Sequence, residues 1–249
     1  MKLLSVPIAL AGASLLASSA VMAQAAAPES SLSFNAGVVS DYRYRGISQS
    51  RLKPAVQGGL DYADKSGFYL GAWGSTIKWI EDTTPGVTKG STEIDIYGGY
   101  KGSIGASSYD LGVLRYEYVG NKGMTVNPNT TEVYGALTFG VLTAKYSHAL
   151  TNTFGNARSK NSNYIDLSAT LDLGSGFSLT PHVGKQTIKG PNDADCSYSD
   201  YSVTLGKDLG KGLSASLMAV GTDAKRGCYT LVNKYNGKDS LVAGLKYTF

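Results

Sequence analysis

The chain has 249 residues, 23 of them Lys or Arg and 19 Asp or Glu, for a formal net charge of +4. That surplus is too small and too scattered for a nucleic-acid surface. The mean hydropathy of −0.11 excludes a bundle of transmembrane helices, which needs several apolar runs of about 20 residues, but not a barrel whose strands are apolar on one face only.

Only the N-terminus is continuously apolar. Lys2 is followed by Leu3, Leu4, Val6, Ile8, Leu10, Leu15 and Leu16, and the run ends in small residues at Val21-Met22-Ala23. This predicts a signal peptide over 1–23, cleaved after Ala23 or Ala25, and an exported domain over 24–249. An uncleaved anchor fits less well, because Ser, Gly and Pro dilute the run and no basic stop follows it. Loss of residues 1–23 removes one charge, Lys2, and takes the net charge from +4 to +3. Export also leaves the two cysteines, Cys196 and Cys228, open to oxidation.

The mature chain reads as a succession of alternating strands. The first, Leu32 to Arg45, sets Leu32, Phe34, Ala36, Val38, Tyr42 and Tyr44 against Ser33, Asn35, Asp41, Arg43 and Arg45. Next, Val56, Leu60 and Tyr62 oppose Gln57 and Asp61, with a tight turn at Asp64-Lys65-Ser66-Gly67. Phe68 to Trp79 is aromatic on both faces, which leaves its register open. After a long loop over 80–90, Ile94, Ile96 and Tyr100 oppose Glu93, Asp95 and Tyr97. Tyr109 to Val119 opens with Leu111 and Val113 opposite Asp110, but Arg115 and Glu117 then fall on the apolar parity. A bulge, or an extension above the membrane, would account for them.

Val133, Leu137 and Phe139 oppose Glu132, Tyr134 and Thr138; Leu142, Ala144 and Tyr146 oppose Thr143, Lys145 and Ser147. Beyond a polar loop over 151–162, Ile165, Leu167, Ala169 and Leu171 oppose Tyr164, Asp166, Ser168 and Thr170. Phe177, Leu179 and Val183 face away from Ser178, Thr180 and His182, with Pro181 breaking the ladder, as is tolerated near a bulge or rim. A loop over 189–197 carries Cys196, and Tyr201, Val203 and Leu205 then oppose Asp200, Ser202 and Thr204. A tight turn leads into Leu213, Ala215, Leu217 and Ala219, and the longest connection, 222–238, carries Cys228. The closing stretch, Leu241 to Phe249, alternates strictly: Leu241, Ala243, Leu245, Tyr247 and Phe249 on one face, Val242, Gly244, Lys246 and Thr248 on the other.

About twelve strands result, with short turns and long polar loops taking turns along the chain. A soluble sandwich has no reason to sort its connections by length. An antiparallel up-and-down transmembrane β-barrel does, with short periplasmic turns and long external loops. On these parities the lumen receives Asp41, Arg43, Arg45, Asp61, Glu93, Asp95, Asp110, Glu132, Lys145, Asp166, His182, Asp200 and Lys246. Acids outnumber bases on that face, which favours a narrow channel with a mild preference for cations or zwitterions. Cys196 and Cys228, both in long loops, are expected to form one disulfide outside the membrane.

Four blocks carry a family resemblance: Asn35 to Ser50 (NAGVVSDYRYRGISQS), Pro54 to Ser75 (PAVQGGLDYADKSGFYLGAWGS), Glu93 to Tyr100 (EIDIYGGY) and Tyr109 to Gly120 (YDLGVLRYEYVG). They resemble the proteobacterial outer-membrane proteins long catalogued as conserved hypotheticals and now labelled TorF-type porins. Weaker echoes extend over nearly all of the mature chain, and Ser-Asp-Tyr-Arg-Tyr-Arg-Gly-Ile-Ser is the most specific part. The resemblance implies a porin-like barrel of a Gram-negative outer membrane and no particular solute, and the paired cysteines lie outside its pattern. The end of the chain, with Leu245, Tyr247 and Phe249, also resembles the closing strand of bacterial outer-membrane barrels, which the barrel assembly machinery reads. Outer-membrane lipid and small polar solutes complete the expected partners.

No enzymatic chemistry is indicated. The two histidines, His148 and His182, begin no metal or hydrolase motif. His148 lies on outward parity, as in barrel phospholipases, but Leu150 stands where the serine would be, so it reads as a rim residue. Gly58-Gly59 and Gly98-Gly99 lack a following helix and cannot be phosphate loops; they suit bends in a barrel wall. No cofactor is called for. Trp73, Trp79 and the tyrosines suit interfacial girdles better than a sugar slide. Twelve strands is an intermediate width, so the sequence leaves open a diffusion channel or a plugged barrel acting through its external loops.

Overall fold

The computed structural model describes residues 30–83, 85–86 and 89–249; the signal peptide expected over 1–23 lies outside the described residues. The barrel strands are β1 (Ser30–Val39), β2 (Ala55–Asp64), β3 (Phe68–Thr76), β4 (Thr92–Ile104), β5 (Ser107–Val119) and β6 (Thr130–Phe139). They continue as β7 (Leu142–Ala149), β8 (Asn163–Ala169 prolonged by Leu171–Gly174), β9 (Phe177–Thr187), β10 (Tyr198–Gly210), β11 (Leu213–Thr222) and β12 (Ser240–Thr248). Each pairs antiparallel with its sequence neighbours, and β12 returns to β1 with Val38 opposite Leu245. Phe249 completes the seam: its N–H donates to the Phe34 carbonyl and its carbonyl accepts from the Phe34 N–H, each at 2.9 Å. Closure leaves no sheet edge unpaired, as a spanning structure requires in lipid.

Every short turn lies at one end of the barrel and every long connection at the other. The alternation gives the strands two faces of opposite character. Leu32 and Leu60, Leu70 and Ile96, and Leu167 and Leu241 are each at least two-fifths exposed and project outward. Such residues around a whole barrel form an apolar belt far larger than the few hundred Å² a water-soluble protein exposes, and lipid is the solvent that suits it.

The fold corrects the sequence reading in three places. Strand β1 ends at Val39 rather than Arg45, so Tyr42 and Tyr44 leave the outward parity and Tyr42 is only 3% exposed. Strand β5 is continuous, with no register shift against β4 or β6. Arg115 and Glu117 therefore project outward, bonded to each other at 2.9 Å and opposite Ile96 and Ile94 of β4, so no bulge explains them. Pro181 sits within β9 with its β10 partner Val203 in register. The ladder on its other side lapses where β8 is interrupted at Thr170, and the register is the same on either side of the gap. One lost donor opposite Ala169 is absorbed without a bulge. The open register of β3 resolves with Tyr69, Gly71, Trp73 and Ser75 inward and Phe68 and Leu70 outward.

A chain segment across the barrel interior

The connection between β1 and β2 enters the barrel. Within it Arg43–Tyr44 pairs with Ile47–Ser48 around the two-residue turn Arg45-Gly46. Both turn residues have positive φ, 47° and 78°, as a type I′ hairpin turn requires. Arg45 pays backbone strain for that conformation, and such strain persists only where surrounding contacts over-determine it. The contacts are present. Arg45 donates from both terminal nitrogens to the Glu132 carboxylate, at 3.1 and 2.7 Å, and from Nη1 to Gln186 Oε1 at 2.6 Å. Its guanidinium also lies 4.3 Å from the centre of the Tyr164 ring. Glu132 and Gln186 stand on β6 and β9, on the far side of the barrel from β1, so the hairpin spans the lumen.

The base of the hairpin is held as firmly. Arg43 Nε donates to Asp41 at 2.5 Å, its Nη1 to the carbonyls of Gly46 and Lys238, and its Nη2 to Ser240 Oγ. Asp41 also accepts from the hydroxyls of Ser48 and Ser50. Ser48 N–H donates to the Asn236 carbonyl at 2.9 Å. Beyond the hairpin, the Gln49 carbonyl accepts from Lys78 and Trp79, and Arg51 pairs with Asp82 of α1 (Trp79–Thr83). Each of these charges of the segment, Asp41, Arg43, Arg45 and Arg51, thus has a partner, the condition under which an ion pair survives away from water.

The interior is divided. From β2 to β6 it is filled by aromatic side chains. Trp73, Tyr97, Tyr116, Tyr118 and Tyr134 are all under 8% exposed, with Leu114 among them, and Tyr42 of the cross-lumen segment packs edge-on to Trp73 at 5.4 Å. Tyr97 donates to Asp61 and Tyr69 to Asp110, each at 2.5 Å, while Tyr69 also bonds Tyr134. Three of these rings lie over the glycine opposite in the next strand: Tyr97 over Gly71, Tyr69 over Gly99 and Tyr134 over Gly112. A side chain at any of the three glycines would collide with the ring, so the glycines are what let a wall of tyrosines lie flat.

From β7 to β12 the inner face is small and hydroxylated: Thr143, Ser147, Ser168, Thr180, Ser202 and Thr204, among others, border a cavity of about 240 Å³. Its roof is the segment from Asp41 to Gly46. At the opposite end it reaches Ser178 and Ser214, each the second residue of a strand that leaves a short turn. Lys145, Asp166, His182 and Asp200 stand on its wall.

The thirteen residues assigned to the lumen stand in different surroundings. Asp41, Arg43, Arg45, Lys145, Asp166, His182 and Asp200 border the cavity. Glu93 and Asp95 do not: each is 1% exposed in the aromatic half, with Tyr42 Oη donating to Glu93 at 2.6 Å. Glu132 is occupied by Arg45, Asp61 and Asp110 by tyrosines, and Lys246 does not border the cavity. Asp41, Arg43 and Arg45 reach the interior from the hairpin, not from the barrel wall. The hairpin itself was missed. Its signal was Arg-Gly flanked by Tyr-Arg-Tyr and Ile-Ser, a two-residue turn within an alternating stretch. Cys196 and Cys228 are bonded, with Cα atoms 5.4 Å apart, joining α2 (Asp193–Cys196) to α3 (Arg226–Tyr229) at the long-loop end. His148 faces out near that end beside Tyr146 and Asn161.

Fold and interior together define a twelve-stranded transmembrane β-barrel whose lumen is crossed by one of its own connections. The chain belongs to a family described as bacterial protein of unknown function (Gcw_chp), whose sequence profile matches residues 22–249. That description is coarser than the TorF-type label and does not carry it. No curated protein matches the chain. Among solved structures it is similar to the KdgM porin in complex with disordered oligogalacturonate, with TM-score 0.54, 9% identity, and 88% of this chain and 99% of that one covered. It is similar also to the NanC porin, with TM-score 0.52, 11% identity and the same coverage of both chains. At these identities the likeness is one of fold.

Proposed function

We propose that the protein is an outer-membrane channel of the porin kind, passing small polar solutes by passive diffusion and narrowed by the segment 40–54. The observation that carries this reading is the hydroxyl-lined cavity running from the hairpin to the short-turn end. A barrel with a purely structural role would gain stability by filling that half with apolar or aromatic side chains, as it fills the other half. The apolar belt, the closed seam and the sorting of connections support insertion in the outer membrane, with short turns periplasmic and long loops external. Cleavage of residues 1–23 and recognition of Leu245, Tyr247 and Phe249 by the assembly machinery belong to the same reading. We assign the protein no enzymatic role.

Selectivity follows from the charges that border the cavity. Asp41 is matched by Arg43 and Arg45 is matched by Glu132, which leaves Asp166 and Asp200, with His182 between them, and Lys145. A mild preference for cations or zwitterions then rests on Asp166 and Asp200 rather than on the buried Glu93 and Asp95. Single-channel recording of the refolded protein is the test. Small, steady conductance steps are expected, with a reversal potential in a salt gradient on the cation side that moves toward zero in Asp166→Asn with Asp200→Asn. The network that seats Arg43 and Arg45 favours a second reading, a plugged barrel acting through its external loops. A folded barrel with no conductance would establish it.

A further inference from the structure

The charged groups that border the cavity are not spread evenly. Lys145 on β7 and Asp166 on β8 are directly opposed in register, and Asp200 lies at the same level two strands further on, across Gly184. Opposed side chains on neighbouring strands start about 5 Å apart at Cβ, close enough to pair. They do not. Lys145 makes no ion pair among the described residues; its Nζ sits 4.1 Å from the centre of the Tyr134 ring. Asp166 turns away and takes His182 Nε2 at 2.7 Å, while Asp200 accepts from Tyr164 Oη at 3.0 Å and lies 3.6 Å from His182 Nδ1. The wall therefore carries an ammonium held by an aromatic face and, beside it, two carboxylates gathered about an imidazole. On the other side of the cavity the buried hydroxyl of Ser216 has no hydrogen-bond partner and borders the same space. Arg45 roofs the site and is already satisfied by Glu132 and Gln186.

Resting on the channel reading, we propose that this cavity is a saturable binding site for a small zwitterion of α-amino-acid size. The carboxylate of the solute meets Lys145, its ammonium meets Asp166, and its polar remainder meets the serine and threonine hydroxyls. An acidic solute would meet two carboxylates with one free ammonium, and a simple cation would leave Lys145 unmatched. A neutral polyol would bond the hydroxyls but leave Lys145 without a counter-charge. Only a molecule with both charges, a few ångströms apart, satisfies the wall completely.

The test compares four probes of similar size on the refolded full chain by isothermal titration calorimetry: L-alanine, lactate, ethanolamine and glycerol. Alanine should bind at least about tenfold more tightly than the other three, the worth of one charge-assisted hydrogen bond. Lys145→Gln and Asp166→Asn should each erase that margin, and Lys145→Arg should keep it, with the heat-dependent gel shift showing that each variant is folded. Glycerol or lactate binding as tightly as alanine would overturn the proposal, as would an unchanged alanine affinity in both Lys145→Gln and Asp166→Asn. Because binding is read without current, the two readings fail separately. A conducting barrel indifferent to alanine defeats the site and spares the channel, while an alanine-binding barrel that never conducts does the reverse.

Discussion

The two halves of the interior use the same barrel wall to opposite ends. Between β2 and β6, tyrosines and Trp73 fill the space, with glycines beneath three of the rings and carboxylates capping the hydroxyls. Between β7 and β12, serines and threonines stop short of the axis and leave a cavity. Side-chain volume, not strand number, thus sets how much of a twelve-stranded lumen stays open. The segment from Asp41 to Ser48 belongs to both halves: Tyr42 and Tyr44 pack with the aromatic side, and Arg45 reaches over to β6 and β9.

Breaking the link between the halves should have the largest effect. Arg45→Ala leaves Glu132 buried without its cation and Gln186 without a donor, at a cost of about 3–5 kcal/mol, and frees the hairpin from its far anchor. Lower urea midpoints and larger, noisier single-channel currents are expected; unchanged currents would mean that the hairpin does not limit the passage. Trp73→Ala should cost a similar or slightly smaller amount, about 3–5 kcal/mol, because the aromatic half is packed like a protein core. In contrast Thr204→Tyr, which fills the open half, should reduce conductance with little loss of stability. If the two exchanged behaviour, the filled and open halves would be wrongly assigned.

Reduction of Cys196–Cys228 should matter less, about 2–4 kcal/mol in the stability of the long-loop end. The bond nonetheless lies close to the hairpin. Tyr229, next to Cys228, packs with Ile47 and Tyr198, and its carbonyl accepts from Asn236, whose own carbonyl holds Ser48. We expect dithiothreitol, or Cys196→Ser with Cys228→Ser, to increase current noise without changing the mean step greatly, and hydrogen exchange to rise over 222–238 first. The smallest effect belongs to the exposed pair Arg115–Glu117, where a double-mutant cycle should give about 0.2–1 kcal/mol, falling with added salt. A larger coupling there would mean that lipid and not water surrounds the pair.

Much of this was legible in the sequence because a strand has a period of two. Alternation fixed which of Leu32 and Ser33, or Ile165 and Asp166, faces out, and a closed barrel admits no other use of that pattern. Length sorting of the connections identified the two ends, and the final Leu245, Tyr247 and Phe249 marked the closing strand. The same parity put ten charged or titratable residues of the barrel strands, from Asp61 to Lys246, on the face opposite the apolar one. It failed where the chain stopped being a strand. Between Val39 and Ala55 the alternation continues through Asp41, Arg43 and Arg45 as though the wall went on, because a two-residue hairpin preserves the pattern while reversing the chain.

What the sequence determined by itself is therefore the set of faces: an apolar outside, a polar inside, twelve crossings and two unlike ends, all properties of residues close together in the chain. Which inward groups meet depended on the tertiary structure. Arg45 finds Glu132 and Gln186, 87 and 141 residues away. Glu93 is sealed beneath Tyr42, and Lys145 passes over its register neighbour Asp166 for the face of Tyr134. Those pairings rest on distance across a closed lumen and on the volume of the side chains that fill it, and neither quantity has a period along the chain.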